Sequence, residues 1–346
     1  MLSVRLFQDC PEDQRLWTEY VFRQPQATVD HGWEWRQVLQ GAFRFEPIYV
    51  GAFEGERLAG VLPLFQVPCL FGKTALVSIP FGNYGGICAD GPAATGALLD
   101  EARRLMQARG CAHVCFYHKH PVDGAGLVRR DDKVRFSMPV DPSGGLGHAM
   151  ACLKKMTRKK VNYGMKSGLV AGASRDTGPL YEIHLRRFRE LGTPCFPRSY
   201  FDLVLKHFGE RAILNYAYAD NKPVAFKFGV MFRGSFLAIV AGQLAAYKRL
   251  NPNIILFRQS VADAVTHGFS EIDMGRSSRG SGPAHYKACM GYDETPLGYQ
   301  YLLAEDAKLS FHTTSGLKFR LAGAVWRKMP LACTAALGPK LVRYFA

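Results

Sequence analysis

No stretch of this chain approaches a membrane span; no window reaches the ~18 uninterrupted apolar residues that crossing a bilayer needs. The opening MLSVRLFQDCPEDQRLW turns acidic early and lacks the apolar core of a secretory leader. A cytoplasmic location is therefore expected. Cysteine is present without pattern: nine residues, at 10, 69, 88, 111, 115, 152, 195, 289 and 333, with no CxxC pair and no zinc spacing. That excludes a disulfide framework and fits a reducing compartment. Cys111 and Cys115 flank His113 on a predicted strand and read as buried thiols. No metal site is expected. A Gly-x-Ser-x-Gly elbow is missing, and the sequence offers no Cys/His/Asp arrangement for a covalent intermediate.

Acid is missing from two segments, and there base is concentrated. Residues 142–175 hold Lys154, Lys155, Arg158, Lys159, Lys160, Lys166 and Arg175. Residues 307–346 hold Lys308, Lys318, Arg320, Arg327, Lys328, Lys340 and Arg343. Together they account for almost all of the net charge of +15. Two readings stand: an anionic partner, or solvated helix faces.

What remains is a globular composition, 48% hydrophobic over 346 residues, enough for two domains. Its elements come in one order, twice. Helices near 11–22 and 32–42 precede strands EPIYVGAF, RLAGVLPLF and ALVSIPF, a helix at 94–108, and strands AHVCFYH and VRFSMPV. Helices near 178–191 and 198–208 precede AILNYAYA, VAFKFGVMF and SFLAIVAG, a helix at 252–267, then EIDM and PLGYQYLL. Gly110 and Gly268 close matching helices. This predicts an α/β fold of two tandem GNAT-like domains, each a mixed, mostly antiparallel sheet flanked by helices. The expected division is 1–143, a basic connecting helix at 144–170, a second domain at 171–305, and a basic tail at 306–346.

Five stretches carry a family likeness: GVLPLFQVPCLFGKTALVSIPFGNYGG, LKKMTRKKVNYGMKSG, LGTPCFPRSYF, YKRLNPNIILFRQSVADAVTHGFSEIDMGRSS and HYKACMGYDETPLGYQY. On these the chain resembles the FemAB/FemX-type transferases over about residues 30–305. It looks nearest to the FemAB-like proteins that accompany exosortase/PEP-CTERM and exopolysaccharide systems. The resemblance implies transfer of an acyl or aminoacyl group to an amine of a cell-envelope or exopolysaccharide precursor. It departs in one block, where Met290 stands at the family's usual Trp. That residue either shapes an acceptor wall or fills core.

In IDMGRSSRGSGPAHYKACMGY a short apolar strand, Glu271 to Met274, empties into a loop of Gly, Ser and Arg, and loops off sheet ends are the usual seat of a site. Lys287 is the first candidate, for an oxyanion or a donor phosphate. Asp273 is a base, an orienter of Arg276, or a cap on a loop N–H. Tyr299 and Tyr286 offer phenols for proton relay. Arg276, Ser277 and Arg279 suit a phosphate. In the first half, Asn83 and Tyr84 of PFGNYGG either line a cleft or sit in a tight corner. Lys155, Arg158 and Lys159 are expected against the phosphates of an anionic partner, a nucleotide-linked precursor or a tRNA. Phe319, Leu321, Val325 and Trp326 among the tail's bases read as a peripheral membrane contact or as a docked helix. No tightly bound cofactor is expected. The donor is an acyl-CoA or an aminoacyl-tRNA. The segment Gln243–Asn251 lacks the paired glycines of a CoA phosphate loop, which tilts the choice to tRNA. Two other classes stay open: a CoA-dependent acyltransferase acting on a nucleotide sugar, and a non-catalytic binding scaffold.

Overall fold

A computed structural model describes residues 2–304 and 317–346, without the side chains of Phe71 and residues 317–319. Lys308 and the side chains of Lys318 and Phe319 thus lie outside the described residues.

The chain opens with β1 (Leu2–Phe7), α1 (Pro11–Arg23), α2 (Glu34–Phe43), β2 (Glu46–Glu54), β3 (Arg57–Pro68), β4 (Thr74–Ser78) and the short β5 (Cys88–Ala89). Next come α3 (Pro92–Ala108), β6 (His113–His118), β7 (Leu127–Arg130) and β8 (Lys133–Pro139). The middle holds α4 (Gly145–Cys152), α5 (Lys155–Gly164), β9 (Val170–Ser174), α6 (Gly178–Leu191) and α7 (Arg198–Phe208). Then follow β10 (Ala212–Ala219), β11 (Lys222–Phe232), β12 (Ser235–Gln243), α8 (Pro252–His267), β13 (Glu271–Ser278) and α9 (Gly282–Cys289). β14 (Asp293–Pro296), β15 (Gly298–Leu303), α10 (Leu317–Lys328) and α11 (Leu331–Val342) complete it.

Two compact units result. One is the chain up to Lys133 together with β15; the other is Val134–Thr295 together with α10. The first sheet has the order β1-β2-β3-β4-β6-β15-β7, with β5 on β3. The second has the order β14-β8-β13-β12-β11-β10-β9. Read from β1 and from β9, the two orders correspond strand for strand, except that the final strands are exchanged. β8 follows the first unit in sequence and joins the second sheet; β15 does the reverse. The expected boundaries at 143 and 305 put both strands in the wrong sheet, because sequence order gives no sign of the exchange. Burial drives it. Leu302 sits in the core with Leu62, Leu64 and Phe116, while Val134, Phe136 and Met138 sit in the core with Phe236, Val261 and Ile272. Each such side chain contributes about 1.5–3 kcal/mol on burial.

The first-half helix forms as its apolar stripe predicts. Leu98, Leu99, Ala102 and Leu105 of α3 are buried, and Gly110 takes φ +62 to turn the chain toward β6. The expected single helix over 144–170 is instead two. Leu153 and Lys154 are extended between α4 and α5, with Leu153 buried in the core. Arg158 closes the break by donating from Nη1 to Ala151 O and Leu153 O.

The tail divides its faces. Trp326 of α10 is buried, and Arg189 of α6 donates to Met329 O. Leu321 and Val325 are 60% and 65% exposed on the opposite side. Among the described residues, no helix is long and apolar enough to cross a membrane.

Candidate active site

In the second unit β12 and β13 run parallel, and their register extends from Ser235↔Glu271 to Leu237↔Asp273 among the described residues. Both strands continue beyond it, β12 to Gln243 and β13 to Ser278. The pair therefore opens as a fork. A register shift on β12, where Phe228↔Val240 is followed by Gly229↔Ala238, leaves Ile239 as a bulge at the fork's mouth. Gly229 is required there: a Cβ would stand 2.3 Å from Leu237 O. Burial falls at the same place, from buried Ala238 to half-buried Ile239 and Val240 and exposed Ala241. Strand backbone that loses its ladder partner presents N–H and C=O groups to a ligand.

Around the crotch of the fork lies a buried charged cluster. Asp273 Oδ2 accepts from Arg135 Nε at 2.7 Å, and its Oδ1 accepts from Gly275 N at 2.7 Å. Arg135 also pairs with Glu271 at 2.7 Å. Burial pushes the Asp273 carboxyl above its ordinary range, and the Arg135 guanidinium pulls the other way. Asp273 is thus the cap on a loop N–H and the partner of Arg135, which sequence reasoning missed. Arg135 arrives on the exchanged strand β8, so nothing in the order of elements pointed to it.

Lys287 stands on α9, a helix that follows the loop and has no counterpart in the sequence reading. Ser281 caps it, accepting from Ala284 N at 3.3 Å. The ammonium donates to Met274 O (2.6 Å), Arg276 O (3.2 Å), Gly275 O (3.3 Å) and Ser277 Oγ (2.9 Å). Gly275 at φ +63 lets these successive carbonyls curl around one cation. Burial pushes Lys287 down to about 8, with the Asp273 charge opposing. Its three protons are committed to the strand end. The expected free ammonium for an oxyanion is replaced by a clamp that shapes the arm of the fork.

The other loop residues divide. Ser277 is buried in that clamp, and Arg276 is half-buried on β13. Arg279 is exposed and makes no ion pair among the described residues. Tyr286 is 37% exposed on α9, neighbouring Lys287 in sequence. Met290 is buried among Val261, Ala284 and Tyr292, so the position of the family's Trp is a core contact. Beside the end of β12, a cleft of about 510 Å³ is lined by Glu182, Ile183, Arg186 and Glu190 of α6 with Lys222 and Tyr247. No sequence signal marked it.

The first unit has the matching parallel pair, β4 with β6, but its own chain fills the opening. Ser78 Oγ accepts from Tyr117 N (2.8 Å), and Gly86 N donates to Tyr117 O (3.1 Å). The PFGNYGG loop is held there by Asp30, whose Oδ2 accepts from Asn83 N and Tyr84 N, both at 2.7 Å. His31 Nε2 donates to Gly86 O at 3.0 Å while Nδ1 accepts from Thr28 N. Ile79 and Phe81 take φ +56 and +64, strained values for such side chains. Asn83 and Tyr84 are buried, and Tyr299 donates to Asn83 O at 2.8 Å. Of the two readings for this loop, the tight corner holds. Tyr299 is a buried brace in the first unit, whereas Lys287 and Asp273 stand together in the second.

In the basic segment Arg158 caps α4 and is not presented to a ligand. Lys155 and Lys159 of α5 are exposed, and neither forms an ion pair among the described residues.

Comparison with known proteins agrees with this geometry. Residues 153–288 match the family model of the acetyltransferase (GNAT) domain, which includes the fork, the clamp and α8. No curated protein sequence matches significantly. The structure is similar to that of FemX (TM-score 0.65, 11% identity, 87% of this chain and 97% of that one). It is similar to L-PGS from Bacillus licheniformis (0.57, 12%, 93% and 99%) and to a tandem GNAT protein of clavulanic acid biosynthesis (0.55, 12%, 89% and 100%). The fold is tandem GNAT-like. Within it the second unit carries the domain match and the open fork, and the first carries the plugged one.

Proposed function

We propose that this chain is an acyl- or aminoacyltransferase that seats its donor in the second unit's fork and passes the group directly to an amine. The observation that carries this reading is the contrast between the two parallel pairs, one open and bulged, the other stoppered by Ser78 and Gly86. Unladdered N–H groups on β12 and β13 supply donors for the carbonyl oxygen of the tetrahedral intermediate. The amine nitrogen forms the new C–N bond. The donor's C–O bond (aminoacyl-tRNA) or C–S bond (acyl-CoA) breaks, and the proton lost by the amine ends on the leaving oxygen or sulfur. We assign Tyr286 as the phenol that carries that proton, and Arg276 and Arg279 suit the donor's phosphates. Lys287, Asp273 and Arg135 act as positioning residues. Tyr299, Asn83 and Tyr84 hold the first unit together.

Aminoacyl-tRNA is the donor we favour, with an envelope or exopolysaccharide precursor as acceptor. Exposed Lys155 and Lys159 in an acid-free segment support it, as does the absence of glycine between Gln243 and Asn251. The acetyltransferase domain match favours the second reading, an acyl-CoA donor. Thermal shifts with acetyl-CoA, charged tRNA and uncharged tRNA separate them. A ligand at 100 times its Kd stabilises the folded state by about 2.7 kcal/mol. A shift with charged tRNA is expected. A shift with acetyl-CoA alone replaces the donor, and no shift with any of the three returns the chain to a binding scaffold.

Reversing both free lysines, Lys155→Glu with Lys159→Glu, is expected to weaken tRNA binding and to flatten the slope of log affinity against log salt by roughly 1–2. An unaltered slope in filter binding makes α5 a solvated face. On the tail, exposed Leu321 and Val325 beside Arg320 fit a peripheral contact with an anionic membrane face.

A further inference from the structure

At the start of the basic segment, three side chains of different donor chemistry converge. Asp141 Oδ2 lies 2.8 Å from His148 Nε2, and Cys152 Sγ lies 3.6 Å from that same nitrogen. All three ligand atoms fall within 4.8 Å of one another. We propose that Asp141, His148 and Cys152 form a binding site for one zinc ion.

Convergence on a single ring nitrogen decides against a proton relay. A relay places the carboxylate on one imidazole nitrogen and the thiol on the other. One N–H serves one acceptor, whereas one metal ion serves three. The spacing also fits. Tetrahedral zinc with Zn–N near 2.05 Å and Zn–S near 2.3 Å holds nitrogen and sulfur about 3.5 Å apart. The Asp–His distance is that of a hydrogen bond and must open by roughly half an ångström to admit the ion. One thiolate, one imidazole and one carboxylate suit zinc over calcium or magnesium, and leave a fourth position for water.

The site is held in place. His148 and Cys152 are four apart on α4, hence on one face. That helix is anchored by buried Ala149 and Leu153. The other oxygen of Asp141 accepts from Ser143 N (2.9 Å) and Ser143 Oγ (2.6 Å), which aims Oδ2 at the imidazole. Gly144 packs over the ring, where a Cβ would stand 2.5 Å from His148 Cγ. Cys152 lies in the last turn of α4, where helix carbonyls favour a cation. Arg158 of α5 is directed to Ala151 O and Leu153 O.

Cobalt(II) titration of the reduced, metal-free full chain tests the site. Tetrahedral d–d bands with a near-ultraviolet thiolate-to-cobalt band are expected at one equivalent, lost on adding zinc. Cys152→Ser should remove the thiolate band and lower zinc affinity by at least the roughly 10–100-fold that losing an outer-shell partner costs. His148→Ala should weaken both metals, and its circular dichroism reports whether it is folded. Cys289→Ser is the control, because Cys289 Sγ forms a similar pair with His285 Nε2 at 3.4 Å. Absence of the charge-transfer band, its survival in Cys152→Ser, or its loss in Cys289→Ser overturns the proposal.

Discussion

Lys287→Ala is expected to lower the melting temperature of the second unit by about 8–15 °C and to abolish transfer. The ammonium satisfies three consecutive carbonyls and Ser277 Oγ at the strand end, inside a cluster that also holds Asp273 and Arg135. Taking the ammonium away leaves several buried acceptors unsatisfied, at about 1–3 kcal/mol each and about 3–5 kcal/mol together. For a unit of this size each kcal/mol corresponds to about 2–4 °C. Phe136 stands 5.6 Å from the ammonium and would face the vacated volume. Amide exchange should accelerate over residues 271–289 and stay unchanged in β1–β3. A surface lysine serving only an oxyanion gives another signature: activity lost, melting temperature and exchange untouched. Observing that second pattern removes the clamp and restores Lys287 as a residue in contact with substrate.

The repeat was readable because each strand of β2–β4 and β10–β12 is a nearly unbroken apolar run and each crossover helix ends on a glycine with positive φ. β1 and β9 were missed. Both are edge strands, with burial alternating or intermediate, so composition alone did not separate them from loop. The exchange of β8 and β15 was out of reach for a deeper reason. Either strand is a good apolar partner for either sheet, and only pairing registers assign them. The same limit hid Arg135, which meets Asp273 across 138 residues. The loop after β13 stands out in the sequence for its arginines and small hydroxyls, whereas the clamp around Lys287 does not. Sequence gives a lysine beside a strand end, not three carbonyls bent toward it by Gly275. The Asp141, His148 and Cys152 group was passed over because its spacing matches no zinc-finger pattern; only α4 and the Ser143 turn bring the three atoms together.

Acid is expected to destabilise the second unit through His184, by roughly 1.4 kcal/mol for each pH unit below about 6.5. His184 lies on α6 and is buried among Phe188, Phe196 and Phe201. Its Nε2 accepts from Phe196 N at 3.1 Å, which fixes the neutral tautomer with the proton on Nδ1. Burial pushes it down to about 3. The folded pKa is therefore below the unfolded one. Between pH 6.5 and 3 the unfolded chain holds a proton that the folded chain lacks, so each step down in pH favours unfolding. The accumulated loss approaches about 4–5 kcal/mol at the lower end. His184→Gln keeps an acceptor for Phe196 N and does not titrate. Urea unfolding at stepped pH should show the variant's stability falling less steeply than wild type through that window, by about the stated slope. Carboxylates titrate alike in both proteins and drop out of the difference. Protonation would break the bond that pins the 192–197 corner to α6, and α6 supplies Glu182, Ile183 and Arg186 to the cleft beside β12. Parallel slopes in the two proteins would mean that the ring is already solvated and that the aromatic cage around it does not hold.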